Sequence, residues 1–410
     1  MTLYPHQERI AKEAYEVLSQ YGLVYLGMEE RTGKSLTAIH LAELSTRQNV
    51  LIITKKKALG GWNETLDRYA TNGTSFKVIN YHAVHKAHKT PSGKRVYKLA
   101  IDPSDYDLII LDEAHNYLST YPKPGVIWKS VKKVCSGQPI IYLSATPHAQ
   151  GYQLLFNQFA LSDWSPFRAY SNFYKWFAKY GIESKVRTAY GLQETYSKCK
   201  EIVRDETAHL FITYTRQELG FTHEPQDVLH YFDLSPETTS VYNSCLKDEF
   251  FTQGFLEFPL DSSMKLRTTL HMLEGGVAKN EDDYIELDNH EKINAILSDF
   301  GDDEKNVIMY HYKAELIKLQ EVFRYTTLLQ GTSYAEGVDL SMYDNLIIYS
   351  QDFSSARHNQ RRARQANMNR QTEIKVHFYL VKGGISEQVY KTVSVNKENF
   401  IDKMFIKETL

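Results

Sequence analysis

A chain of 410 residues is longer than one small core needs, so two or three domains are expected. Hydrophobic residues make up 42% and charged residues 24%, an ordinary balance for a soluble globular protein. The formal net charge of −2 argues against a uniformly basic surface, so any contact with nucleic acid must come from a local positive patch. Cys135, Cys199 and Cys245 lie far apart with no C-x-x-C pair, which argues against a disulfide framework or a zinc site and suits a reducing cytosol. The opening MTLYPHQERIAKEAYEV carries charges where a signal peptide needs an apolar run, and no apolar run is long enough to span a bilayer. A soluble, cytoplasmic protein without a membrane partner is expected.

The first 150 residues alternate regularly. In YPHQERIAKEAYEVLSQYG, Ile10, Ala14, Val17 and Leu18 share one helical face, and Gly22 can stop the helix. LVYLGM (23–28) reads as a buried strand, 34–47 as a helix and VLIITK (50–55) as a strand. GWNETLDRYA reads as a helix and KVINY (77–81) as a strand, and the basic, Pro- and Gly-containing segment 86–105 as a loop or hairpin. DLIILDEAH (107–115) and IIYLSATP (140–147) each run an apolar strand into polar residues. Strands separated by helices predict a parallel sheet covered on both faces.

Residues 151–235 change character. DWSPFRAYSNFYKWFAKYG is aromatic and broken by Pro166; the rings of 164–180 suit a packed strut better than a base-stacking platform. The pattern to about residue 300 is mostly helical, with VLHYFDLSPE (228–237) as an exception that can open a second lobe. Alternation then returns: HEKINAILSDF as helix, NVIMYHY (306–312) as strand and KAELIKLQEVF as helix. TTLLQG, DNLIIYS (344–350) and KVHFYLVKG (375–383) read as strands and ISEQVYKTVSVNKENF as a closing helix. The division expected is therefore an α/β lobe over 1–150, a connecting region over 151–235 and a second α/β lobe over 236–410.

Two stretches carry chemistry. GMEERTGKS (27–35) ends in Gly33, Lys34 and Ser35, between a predicted strand and a predicted helix. Backbone N–H groups at such a helix start attract phosphate, the lysine reaches the β- and γ-phosphates, and the serine hydroxyl ligates Mg²⁺. The first glycine of the usual G-x-x-x-x-G-K-[ST] pattern is displaced, with Met28 in its place. LDEAH (111–115) places two acids where a buried strand ends, the edge at which open α/β sheets bind ligands. Asp112 suits the metal, and Glu113 suits the attacking water. His85 and His88 lack partners at metal-ligand spacing and read as surface histidines.

In order, GKS, DEAH and SATP (144–147) resemble the motifs of helicase superfamily two. The chain is most similar to the Swi/Snf-like branch and to compact bacteriophage DNA helicases. LYPHQ, ITKKKAL (53–59), VINYHAV (78–84), VIMYHYKAEL (307–316), EGVDLSMYDNLIIYSQDFS (336–354) and QRRARQANMNRQTEIKVHFYL carry the likeness over nearly the whole chain. The resemblance implies two RecA-like P-loop lobes, an ATP cleft between them and a mostly helical, aromatic connection. It implies ATP and Mg²⁺ as cofactors, with Lys34, Asp112, Glu113 and Arg364 as catalytic residues and Ser35 and Asp112 at the metal. Nucleotide contacts fall to Gln7, Thr32, Gly33, Lys34, Ser35, Gly337, Asp339, Gln360 and Arg361. Contacts to the DNA backbone fall to Lys55, Lys56, Tyr81, His82, His311, Gly331, Thr332 and Ser333.

One departure stands out. The family pattern Q-x-x-x-R-x-x-R maps onto Gln360 and Arg364 but ends on Asn367, leaving Arg361 or Arg370 to supply a second positive charge. The function implied is a monomeric DNA-dependent ATPase that moves on DNA and unwinds or remodels forked or branched substrates. Two alternatives stay open: a duplex translocase that displaces proteins without separating strands, and an ATP-switched DNA-binding or loading protein with little turnover. RNA is a further possible substrate.

Overall fold

The computed structural model describes residues 3–71, 73–148, 151–188, 191–253, 256–279, 284–331 and 339–395. The chain forms two compact units, Met1–Gly220 and Phe221–Leu410. The segment read as a connecting region over 151–235 is thus shared: its larger part belongs to the first unit, and its end opens the second.

The first unit is built on helix α1 (Pro5–Tyr21), strand β1 (Leu23–Leu26), helix α2 (Lys34–Leu44) and strands β2 (Asn49–Thr54), β3 (Ser75–Asn80), β4 (Leu108–Asp112), β5 (Ile140–Leu143) and β6 (Phe211–Ile212). The strands form one six-stranded sheet in the order β6-β1-β5-β4-β2-β3, parallel throughout. In β1, β4 and β5, consecutive residues rather than alternate ones are buried, as a sheet covered on both faces requires. Gly22 closes α1 with φ 69°, its N–H donating to the Leu18 carbonyl. The Trp164 indole lies directly on Gly22, which leaves no room for a Cβ.

The aromatic segment is core. Phe167, Phe173, Trp176, Phe177 and Tyr180 are buried with Phe156 and Phe159 in the main apolar cluster of this unit. A fully buried Phe contributes about 1.5–3 kcal/mol, so this cluster alone ties the 151–220 region to the sheet. Trp164 and Tyr174 remain exposed. Segment 86–105 contains a hairpin, His85–Lys89 paired with Arg95–Leu99, as one of the two expectations had it.

The second unit holds strands β7 (Pro225–Phe232), β8 (Asn306–Tyr310), β9 (Thr327–Gln330), β10 (Asn345–Ile348) and β11 (Ile374–Val381). They form a five-stranded parallel sheet in the order β7-β11-β10-β8-β9. Both units are RecA-like α/β lobes: a parallel sheet flanked by helices. The stretch expected to be mostly helical up to residue 300 is interrupted by two antiparallel pairs, Phe250–Gln253 with Leu256–Pro259 and Val277–Lys279 with Tyr284–Glu286. The closing helix runs over Ile385–Tyr390 and loosens into a π-helical turn over Lys391–Val395; the rest of its expected span lies outside the described residues. No helix among the described residues is long and apolar enough to cross a membrane.

Candidate nucleotide site

Parallel strands deliver all their C-terminal ends to one edge of the sheet, and in the first unit that edge gathers the sequence motifs. The GMEERTGKS loop leaves β1, DEAH leaves β4 and SATP leaves β5. Gly33 caps α2 with φ 84°, a conformation that favours glycine. The Gln7 side chain packs so closely on Gly33 that a Cβ there would strike its amide nitrogen. Gln7 is itself fixed, its Oε1 accepting from the Tyr4 N–H at 3.0 Å. The expected nucleotide-contacting Gln7 therefore touches the phosphate loop directly.

Lys34 turns back into the loop and donates to the carbonyls of Met28 at 2.9 Å and Glu29 at 2.7 Å. The Thr32 hydroxyl also donates to the Glu29 carbonyl, at 2.8 Å. Burial pulls the Lys34 ammonium below its ordinary pKa, and the charges of Glu30, Glu113 and Asp112 oppose that pull. A buried cation resting on carbonyls, with three acids around it and a glycine-capped helix start beside it, fits a phosphate chain. Ser35, half-buried in the first turn of α2, and Asp112 are the residues that would hold Mg²⁺.

Asp112 is clamped. Its Oδ2 accepts from the Thr54 hydroxyl at 2.6 Å and from the Trp62 indole N–H at 2.9 Å. Burial pushes its carboxyl upward, while those two bonds and the charges of Lys55 and Lys34 pull it down again. Glu113 has φ 50°, left-handed for a residue with a side chain, and caps the short helix Ala114–Leu118. Such backbone costs of order 1–3 kcal/mol and persists where the surroundings dictate it, most often at functional sites. Its Oε2 lies 3.3 Å from His115 Nδ1, and that nitrogen also shares a 2.7 Å hydrogen bond with the Ser144 hydroxyl. Ser144 Oγ accepts from the Thr146 N–H, so DEAH and SATP are joined through one imidazole. Burial carries the His115 pKa down to about 3, which keeps it neutral at physiological pH.

The loop has a further brace that the motifs did not disclose. Arg216, in the segment after β6, is buried against it. Its N–H donates to Glu29 Oε2 at 2.8 Å, its Nη1 donates to the Glu30 carbonyl at 3.3 Å, and its guanidinium lies 3.7 Å from both carboxylates. Glu29 and Glu30 are thus partners of Arg216. Arg31, between Lys34 and these acids in sequence, adopts φ 69°. We expect Arg216→Ala to loosen the carbonyls on which Lys34 rests and to raise the KM for ATP roughly tenfold, the worth of one charged hydrogen bond. Steady-state kinetics check this; a KM at the wild-type value would remove Arg216 from the loop's support.

Of the residues expected at DNA in this unit, one is corrected by its burial. Tyr81 is fully buried: its hydroxyl donates to the Asp112 carbonyl at 2.9 Å and its ring stacks on Tyr117, so it shapes the DEAH backbone. Lys55 is half-buried, and its charge lowers the pKa of both Asp112 and His115. Lys56 and His82 are exposed, just beyond the ends of β2 and β3 on the same sheet edge.

In the second unit, Arg361 was expected at the nucleotide and is instead internal. Its Nη2 lies 3.1 Å from Asp352 Oδ2, its Nη1 donates to the Ser350 carbonyl, and it fills the space over Gly331. Gly331 is correspondingly buried. His311 is half-buried, 3.7 Å from the same Asp352 oxygen, and burial lowers its pKa to about 4. Asp352 gathers Arg357, Arg361 and His311; although burial pushes its carboxyl up, Arg361 and Arg357 hold it below the usual range. Arg362 pairs with Asp227, and Arg370 donates to the carbonyls of Ser341 and Tyr343. Gln360 and Arg364 are nearly buried on the helix Ser355–Arg362 and the turn after it. Asp339 is exposed, with Oδ1 accepting from the Ser341 N–H. Thr332, Ser333 and Gly337 lie outside the described residues.

The first unit is thus a P-loop ATPase-type lobe in fold and in loop geometry. Residues 1–149 match the family described as Type III restriction enzyme, res subunit (ResIII), a helicase superfamily two ATPase-like family. The match covers the GMEERTGKS, DEAH and SATP stretches and leaves residues 150–410 outside it, Arg216 and the second unit among them. No curated protein matches the chain.

Proposed function

We propose that this protein is a DNA-dependent ATPase that moves on DNA and unwinds or remodels forked or branched substrates. Its motifs resemble those of the Swi/Snf-like branch and of bacteriophage helicases. The observation that carries the reading is Glu113: an acid held at φ 50° next to Asp112, with the charge of Lys34 acting on both. A mere nucleotide switch has no need of that acid.

In this reading Lys34 exchanges the Met28 and Glu29 carbonyls for phosphate oxygens. Gln7 contacts the nucleotide, as the likeness to the helicase motif suggests. Ser35 and Asp112 would hold Mg²⁺, which would supply charge neutralisation at the phosphates. Glu113 orients the attacking water. Arg364 supplies the positive charge at the γ-phosphate that the likeness to the helicase motif gives it. Lys56 and His82 hold the DNA backbone, so binding is salt-dependent and nonspecific in sequence.

Asn367 favours a second reading, an ATP-switched loading protein with little turnover. It stands where the motif's final arginine belongs, and its Oδ1 is engaged in its own turn, accepting from the Asn369 N–H at 3.0 Å. One experiment separates the two. ATPase rate is measured with single-stranded, duplex, forked and four-way DNA, with matched RNA, and with strand separation scored in the same reactions. The proposal expects DNA to raise the rate at least tenfold, most of all for branched DNA, with strands separated. A rate indifferent to every nucleic acid would sink it.

A further inference from the structure

The hairpin His85–Lys89/Arg95–Leu99 takes no part in the nucleotide site, and it is built in a way its own stability does not explain. It forms a separate two-stranded sheet, hydrogen-bonded to neither large sheet. It springs from the β3 end of the same sheet edge that carries the phosphate loop and DEAH. Its base is anchored: the Ala100 N–H donates to the Val84 carbonyl, Val84 is fully buried, and Leu99 and Ile101 pack on the core. Its tip is cinched, with the Thr90 N–H donating to the Lys94 carbonyl, the Lys94 N–H to Thr90 Oγ1, and Gly93 at φ 78°. It is a stiff arm rather than a slack loop.

Along that arm Lys86, Lys89, Lys94, Arg95 and Lys98 are all exposed, and no acidic residue interrupts the stretch from 85 to 99. None of the five makes an ion pair with a described residue. The register sets Lys86 directly opposite Lys98 and Lys89 directly opposite Arg95. Like charges facing each other across a ladder destabilise it. A chain with net charge −2 gains no general solubility from concentrating cations here. An arrangement that weakens the free arm becomes favourable when a dense polyanion lies along it.

We propose that the hairpin His85–Leu99 is a second backbone-binding element, gripping nucleic-acid phosphates alongside the residues at the ends of β2 and β3. The proposal rests on the nucleic-acid reading above and adds the place where the grip is made. Its pre-set strands hold the cations at fixed spacing, so binding orders little that was free before.

The test is the variant Lys86→Gln, Lys89→Gln, Arg95→Gln, Lys98→Gln, titrated with fluorescein-labelled duplex and single-stranded DNA across a series of salt concentrations. Each lost phosphate contact flattens the log affinity against log salt slope by about 0.9 on duplex and about 0.7 on single strands. We expect the duplex slope to flatten by roughly 2–4 and the affinity at about 0.1 M salt to fall roughly 10–100-fold. The variant should melt no lower than wild type, because two like-charge pairs are gone, and this excludes unfolding as the cause. A control that neutralises four cations elsewhere (Lys12→Gln, Arg47→Gln, Lys247→Gln, Lys382→Gln) should leave the slope nearly unchanged. An unaltered slope in the hairpin variant, or an equal loss in the control, overturns the proposal while the nucleic-acid reading stands. Wild-type protein that binds neither DNA nor RNA overturns both.

Discussion

Lys34→Ala is expected to lower ATP turnover by roughly 100-fold or more, the scale seen when one preorganised donor to developing charge is removed. It should also abolish the ATP-dependent rise in melting temperature. Lys34 is the cation that the Met28 and Glu29 carbonyls hold ready at the start of α2. It is also the ammonium whose charge Glu30, Glu113 and Asp112 sustain against burial. Alanine removes that positive charge and leaves the acids facing an incoming polyphosphate unopposed. Binding should therefore suffer along with chemistry. The fold should survive, because Asp112 keeps its bonds from Thr54 and Trp62 and Glu29 and Glu30 keep Arg216. The measurement pairs an ATPase assay with thermal unfolding at increasing ATP. Wild-type turnover in a folded Lys34→Ala protein would remove the loop from the active site.

What could be read from the sequence follows a physical division. β1, β4 and β5 were legible because a strand buried on both faces must be apolar at every position, and nothing else in LVYL, LIIL or IIYL competes with that. Gly33, Lys34, Asp112 and Glu113 stand out in the sequence because phosphate chemistry demands those types at the end of a strand, and the structure sets them along one sheet edge. Contacts made across long sequence separations left no local trace. Arg216 reaches Glu29 across 187 residues, and in TYTRQELG it looks like any surface arginine. Trp62 reads as the apolar stripe of a helix, yet its indole N–H is spent on Asp112. Tyr81 and Arg361 failed in the opposite direction. Both sit in stretches that resemble binding motifs, and both are consumed internally, one under the DEAH backbone and one against Asp352. The hairpin in FFTQGFLEFP had a usable signal, two β-prone runs around a glycine, that the surrounding helical pattern obscured.

Glu113→Gln should separate binding from chemistry where Lys34→Ala does not. Glutamine keeps the length and planar end of glutamate and meets the same left-handed backbone at φ 50°, so the strain at this cap is neither relieved nor increased. What changes is proton affinity and charge. His115 stays neutral because burial holds its pKa to about 3, and its Nδ1 is already shared with Ser144, so it cannot take over as the base. The other acids around Lys34 are engaged, Asp112 by Thr54 and Trp62 and Glu30 by Arg216. Turnover should therefore fall roughly 10²–10⁴-fold, the range for loss of a general base. The ATP-induced stabilisation should persist or grow, as one negative charge near the phosphates is gone. At a ligand concentration about 100 times Kd that stabilisation is about 2.7 kcal/mol, large enough to read as a shift of a few degrees. A variant that binds ATP and hydrolyses it at the wild-type rate would mean that the water is activated elsewhere. The strained backbone at Glu113 would then have to serve the helix it caps rather than the reaction.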